Sequence, residues 1–203
     1  MKYFIDGLLL GFAYVAPIGV QNIFVINSAI SDKRMRSFLT ALIVIFFDIT
    51  LALACFWGVG SLFENAYILK MVVYLVGGIA VVKIGHGLLN SEIKAPTESA
   101  ETLPISKVIV SACLVTWFNP QALIDGSLLL GAYRASLAPN FALLFIVGVC
   151  IASMTWFVSL SSIIATFKYQ MSVKILTIIN RVCGIVIVFY GLRLIYIFLE
   201  NAF

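Results

Sequence analysis

The sequence predicts an all-α integral membrane protein of six transmembrane helices, arranged as two inverted three-helix repeats within a single transmembrane domain, residues 1–203. Three observations carry that expectation. The chain is 63% hydrophobic with a mean hydropathy of +1.12. Its apolar residues gather into six stretches, each close to the roughly 20 residues that cross a bilayer as a helix. Its two halves also resemble each other weakly. Thirteen basic and nine acidic residues are too few to clothe a soluble core built from elements that are apolar on every face.

The first stretch, Tyr3–Ile30, follows Lys2, has no Ala-x-Ala site and exceeds the ~7–15 residues of a cleaved signal h-region, so it is read as a retained helix 1. Pro17 falls inside it. Proline cannot donate to the carbonyl of Ala13 and its ring crowds that turn, and Gly19 loosens the backbone further, so an interruption is expected there. Gln21, Asn22 and Asn27 follow as polar groups that lipid would not satisfy, and they should point into the bundle. Gly7 and Gly11 form a small-xxx-small pair that favours close helix contact and permits a homodimer. The second stretch is Phe38–Phe63, with Asp48 at its middle and Gly58 and Gly60 near its end. The third is Ala66–Val82, with a polar tail to Leu89.

A polar segment with two prolines and three glutamates, residues 90–107, separates the halves as a linker between repeat one (about 3–89) and repeat two (about 108–199). The fourth stretch, Val108–Tyr133, holds Trp117, Phe118, Asn119 and Pro120. A second helix break is expected there, with the Asn119 amide meeting freed backbone groups. The fifth, Leu137–Phe167, places Ser153, Thr155, Ser159, Ser161 and Ser162 around Trp156, hydroxyls that back-bond to carbonyls as readily as they line a path. The sixth is Val173–Leu199.

The halves match at particular positions. APIGVQNIFV (Ala16–Val25) and FNPQALIDGSL (Phe118–Leu128) each set a polar residue five places after a proline, Asn22 after Pro17 and Asp125 after Pro120. GGIAVVKIG (Gly77–Gly85) and CGIVIVFYG (Cys183–Gly191) recur in the third span of each half, and the two offsets are 103 and 106 residues. An odd number of spans per repeat inverts the second half, an arrangement common among secondary transporters, which bind substrate at broken helices near the midplane. Counting Lys and Arg by side gives nine on connections 1–2, 3–4 and 5–6 against four opposite, or seven against four without Lys83 and Arg181. Positive charge stays cytoplasmic, so both termini are expected outside.

Asp48 and Asp125 are the sharpest chemistry. A carboxylate inside an apolar span is costly, and is retained for a substrate, an ion or a proton. It must hold a proton or be compensated by a cation. Lys83, His86 and Arg181 are the internal candidates for charge partners, and a structural ion pair is the competing use of either aspartate. A free carboxylate would take the ammonium or guanidinium of a substrate, the latter bidentately, with Gln21, Asn22 and Asn119 supplying hydrogen bonds. Cys55, Cys113, Cys150 and Cys183 are isolated and read as small packing residues. Phosphate loops, zincin motifs and nucleophile elbows are absent, so no enzymatic chemistry, cofactor or metal is expected. The net charge of +4 is scattered over short loops, which argues against nucleic acid. A membrane assembly subunit and a cation channel are the alternatives of another class, although a channel ring of acids would need several subunits.

Three strings, VAPIGVQNIFVINSAI (Val15–Ile30), FDITLALACFWGVGSL (Phe47–Leu62) and TWFNPQALIDGSLLLGA (Thr116–Ala132), resemble the LysE family of amino-acid exporters, specifically its lysine/arginine exporter branch. The homoserine, threonine and leucine exporters of the wider superfamily open with a proline-glycine-proline element that PIGVQN lacks. The resemblance implies a multi-pass carrier of the cytoplasmic (plasma or inner) membrane, moving L-arginine or L-lysine outward in exchange for protons. Neutral amino acids or another small amine are the runner-up substrates. Family residues tied to transport map onto Asn22, Asp48, Asn119, Pro120 and Asp125. The chain departs after Pro120, with QALID where arginine exporters often carry HVYLD, and keeps the aspartate.

Overall fold

The computed structural model describes residues 1–58, 67–90, 104–168 and 173–202, and these are helical throughout apart from short connections. Helix α1 (Lys2–Val15) ends where Pro17 removes the next donor. Its last bond runs from Ala16 N–H to the Phe12 carbonyl at 2.9 Å. Gly19 is extended, and its carbonyl accepts the first bond of α2 (Val20–Ser31) from Ile23 N–H at 3.1 Å. The two helices meet at 76°.

Helix α3 (Arg34–Phe56) is 23 residues long. Just past its end Gly58, at φ 95°, takes the left-handed conformation that favours glycine. The remainder of the expected stretch, up to Phe63, and Gly60 with it, lie outside the described residues. Helix α4 (Tyr67–Leu89) follows. Most of the linker is likewise outside the described residues, but its last three positions belong to α5 (Ile105–Trp117), which starts directly after Pro104.

The second break separates α5 from α6 (Pro120–Gly126), which continues through a π-helical turn (Ser127–Gly131) into α7 (Ala132–Ser136). The bend is 56°. A short 3₁₀ turn, Pro139–Phe141, leads into α8 (Ala142–Phe167), and α9 (Val173–Ala202) ends the chain. Both expected interruptions are thus observed at their prolines.

Among the described residues three helices are long and apolar enough to cross a bilayer, and the two bent pairs raise the number to five. Helix α4, on the third expected span, contributes a shorter apolar helix at Tyr74–Gly87. The described residues are all-helical, with three to five candidate membrane spans.

Helix α2 sits at the centre, with Val20, Ile23, Phe24, Val25, Ala29 and Ile30 buried, and touches α3, α5, α8 and α9. Helices α3 and α8 pack on each other, α1 packs along α8, and α4 pairs with α9. Backbones come very close in two of these contacts. A Cβ on Gly7 would collide with the Phe145 carbonyl of α8, and one on Gly191 would lie 2.7 Å from the Val82 amide of α4. Gly7 and Gly11 therefore serve packing inside one chain. We expect Gly7→Val to lower stability by about 3 kcal/mol or more, because backbone cannot give way as a side chain can. Gly87→Ala, with nothing within 4 Å, should leave the melting temperature of the detergent-purified protein unchanged. A Gly7→Val protein that melts like the wild type would contradict this packing.

At one end of the bundle the buried ammonium of Lys168 donates to the Asp32 carbonyl. The end of α8 is thereby tied to the C-terminus of α2, whose last carbonyls favour a cation.

Candidate functional site

The break after α1 leaves carbonyls without helical partners, and Asn22 answers two of them. Its Nδ2 donates to the Val15 carbonyl at 3.0 Å and to the Pro17 carbonyl at 2.8 Å. Its Oδ1 accepts from Trp156 Nε1 at 2.7 Å, so α8 holds the amide in place. Asn22 is 4% exposed, and the hydrogen-bonding capacity of its nitrogen is fully used by the backbone.

Gln21, one residue earlier, points to the neighbouring face. Its Nε2 donates to Asp48 Oδ1 at 3.2 Å and to Thr116 Oγ1 at 3.0 Å. Asp48 is 1% exposed, and its other oxygen accepts from Ser153 Oγ at 2.6 Å. Trp117 Nε1 reaches Thr50 Oγ1, two residues along α3, at 3.2 Å. One polar junction therefore joins α2, α3, α5 and α8. It brings residues from both helix breaks to a buried carboxylate whose hydrogen-bond partners are neutral.

The second break is built differently from the expectation. Asn119 acts through its oxygen, accepting from Gln121 N–H at 3.2 Å as the N-cap of α6 with Pro120 just inside the helix. The Thr116 carbonyl is met by the Asn119 backbone N–H at 3.4 Å rather than by the side-chain amide. Asp125 is half-buried on α6, and its Oδ1 accepts from the exposed Gln121 Nε2 one turn earlier, at 2.8 Å. The π-helical turn begins two residues later. Such turns widen a helix and occur often at functional sites.

The two carboxylates are linked through α3. Cys55 lies seven residues after Asp48 on the same face, about 10.5 Å along the axis. It packs against Leu123 and Gly126, the latter adjacent to Asp125. Tyr14, from the last turn of α1, fits against Gly126 as well. It is 8% exposed, and its hydroxyl is buried without a hydrogen-bond partner.

The expected charge partners are elsewhere. Lys83, His86 and Arg181 are exposed on α4 and α9, and His86 Nε2 pairs with Asn90 Nδ2 at 2.9 Å. These two helices bury their glycine-lined faces in each other, which turns the long charged side chains outward. None of the three touches Asp48 or Asp125. Among the described residues no cluster of His, Cys, Asp or Glu could hold a metal ion.

Ser153, Trp156, Thr116 and Thr50 join this junction without having been singled out as site candidates in the sequence. The hydroxyls of span five could bond to their own helix or line a path, and Ser153 bonds across to Asp48. Its signal was position: Ser153 stands 105 residues after Asp48, inside the range of offsets that relates the two halves.

Comparison with known proteins gives a consistent result. Residues 12–197 match the LysE type translocator family. The chain is 32% identical over 193 residues to the arginine exporter protein ArgO of Salmonella schwarzengrund, covering 92% of this chain and 90% of that protein. It is 32% identical over 199 residues to the protein of that name from Klebsiella pneumoniae strain 342, covering 95% and 92%. Against the Escherichia coli K12 protein it is 32% identical over 200 residues, covering 95% and 93%. No solved structure matches.

Proposed function

We propose that this chain, which belongs to the LysE type translocator family, exports basic amino acids, L-arginine foremost, across the cytoplasmic membrane. It is a membrane transporter, not an enzyme. The observation that carries the substrate reading is the carboxylate of Asp48, fully buried and without a cationic partner among the described residues, in a chain similar along almost its whole length to arginine exporters. A guanidinium or ammonium arriving at Asp48 would supply the missing positive charge, whereas a neutral side chain would leave the carboxylate uncompensated.

Asp48 takes the substrate cation in this scheme. Asp125, nearer the surface of the bundle, carries it along the path or exchanges it for a proton. Gln21 donates to Asp48 and Thr116 and can give up either bond to meet a ligand. Asn22 and Asn119 contribute by fixing the breaks at Pro17 and Pro120, and the polar backbone between them is available to the substrate's carboxylate and amine. Coupling to the proton-motive force follows if the same carboxylate binds substrate and proton in turn.

An inverted pair of three-span repeats is supported by the packing. Helix α1 lies on α8 as the second broken pair lies on α3, while α3 with α8 and α4 with α9 each pair a span with its own counterpart. Asp48 and Ser153, at matching positions of the two halves, meet across the centre. The tie between Lys168 and Asp32 supports placing connections 1–2 and 5–6 on one face. That face is taken as cytoplasmic by its positive charge, which puts both termini outside.

The test is counterflow in proteoliposomes loaded with labelled arginine, lysine, threonine or leucine, with and without a proton gradient. Arginine and lysine are expected to move, and faster against an inward proton gradient. Selective movement of threonine or leucine would replace the substrate with a neutral amino acid, and indifference to the gradient would leave a facilitative carrier. No movement of any of them, with aspartate substitutions that abolish membrane insertion, would favour a structural subunit.

A further inference from the structure

The hydroxyl of Tyr14 is unexplained by the fold. A buried phenol normally finds a partner, and this one has none, although the ring is 8% exposed and packed into the central core. The ring lies against Gly126, beside Asp125, where Cys55 of α3 also packs, and it ends α1 immediately before the backbone break that Asn22 secures. The buried, unpartnered hydroxyl therefore belongs to the contact of α1, α3 and α6 that connects the neighbourhoods of Asp48 and Asp125.

We propose that Tyr14 is a substrate-binding residue whose hydroxyl oxygen accepts a hydrogen bond from the cationic head of the amino acid as it passes between Asp48 and Asp125. This rests on the export of basic amino acids proposed above. A guanidinium brings five N–H donors and no acceptor. Asp48 already accepts from Gln21 and Ser153, so of its about four lone-pair sites about two stay open, and a guanidinium held there keeps donors to spare. The phenol supplies the additional acceptor, and being unpartnered in the empty carrier it has no bond to break first.

Tyr14→Phe removes one oxygen and keeps the ring. An unpartnered hydroxyl contributes nothing to holding the empty protein together, so the variant should melt at or above the wild-type temperature. Its arginine counterflow in proteoliposomes should nonetheless fall, with kcat/KM lower by about ten- to a hundredfold, the range of a hydrogen bond to a charged group. Wild-type kcat/KM in the variant would overturn the proposal. So would a lowered melting temperature, because the hydroxyl would then have a structural partner in the empty state. Failure of the wild-type protein itself to move arginine or lysine would instead remove the export reading on which the proposal stands.

Discussion

Asp48→Asn is expected to leave the protein folded and inserted while reducing arginine export by at least about 30-fold. Asparagine has nearly the same shape, and its carbonyl oxygen can still accept from Gln21 or Ser153, so the junction of α2, α3 and α8 survives. What is lost is charge in a site that is 1% exposed. Truncating one partner of a buried, hydrogen-bonded charge pair costs about 2–5 kcal/mol of binding, and each ~1.4 kcal/mol is tenfold. Removing an uncompensated carboxylate from an apolar surrounding should also raise, not lower, the melting temperature of the empty carrier. Asp125→Asn should cost less, about tenfold, because Asp125 is half-buried and less enclosed than Asp48. The measurement is initial efflux from proteoliposomes at matched protein content. Unchanged efflux in both variants would contradict a role for buried negative charge. Loss of both proteins from the membrane would mean that the aspartates hold the structure together.

Parts of this site were readable in the sequence because their causes are local. Proline at 17 and 120 removes a donor within its own turn, so both helix breaks are written in single residues. Asp48 stands out because its neighbours along the chain are apolar. The bond of Gln121 to Asp125 joins residues four apart on one helix, the spacing at which helical side chains meet. The partners of Asp48 and Asn22 were not readable, since Ser153 and Trp156 lie 105 and 134 residues away. Which face of α8 meets α2 is decided by packing over the whole bundle, including the close approach at Gly7, and a serine gives no local sign of bonding outward rather than to its own helix. The outward placement of Lys83 and His86 was not readable for a similar reason, since the glycine-lined contact of α4 with α9 that turns them outward depends on a helix a hundred residues later.

Asn22→Leu should have the opposite signature to Asp48→Asn, with a lowered melting temperature where Asp48→Asn raises it. The side chains have the same branching and number of heavy atoms, but leucine is bulkier and removes both donors to the Val15 and Pro17 carbonyls and the acceptor for Trp156 Nε1. Three polar groups are then stranded where Asn22 itself was 4% exposed. Each buried unsatisfied group costs about 1–3 kcal/mol, so the sum is about 3 kcal/mol or more, a large share of the ~5–15 kcal/mol that holds a typical domain together. At about 2–4 °C per kcal/mol for a chain of this size, the melting temperature in detergent should fall by about 6 °C or more. Asn22→Asp separates the contributions, because aspartate can still accept from Trp156 but has no N–H to offer the two carbonyls. If the side chain's task is to tie down the broken backbone, Asn22→Asp will be destabilised nearly as strongly as Asn22→Leu. If Trp156 is what matters, Asn22→Asp will melt close to the wild type, and the account of how the break after α1 is held will be wrong.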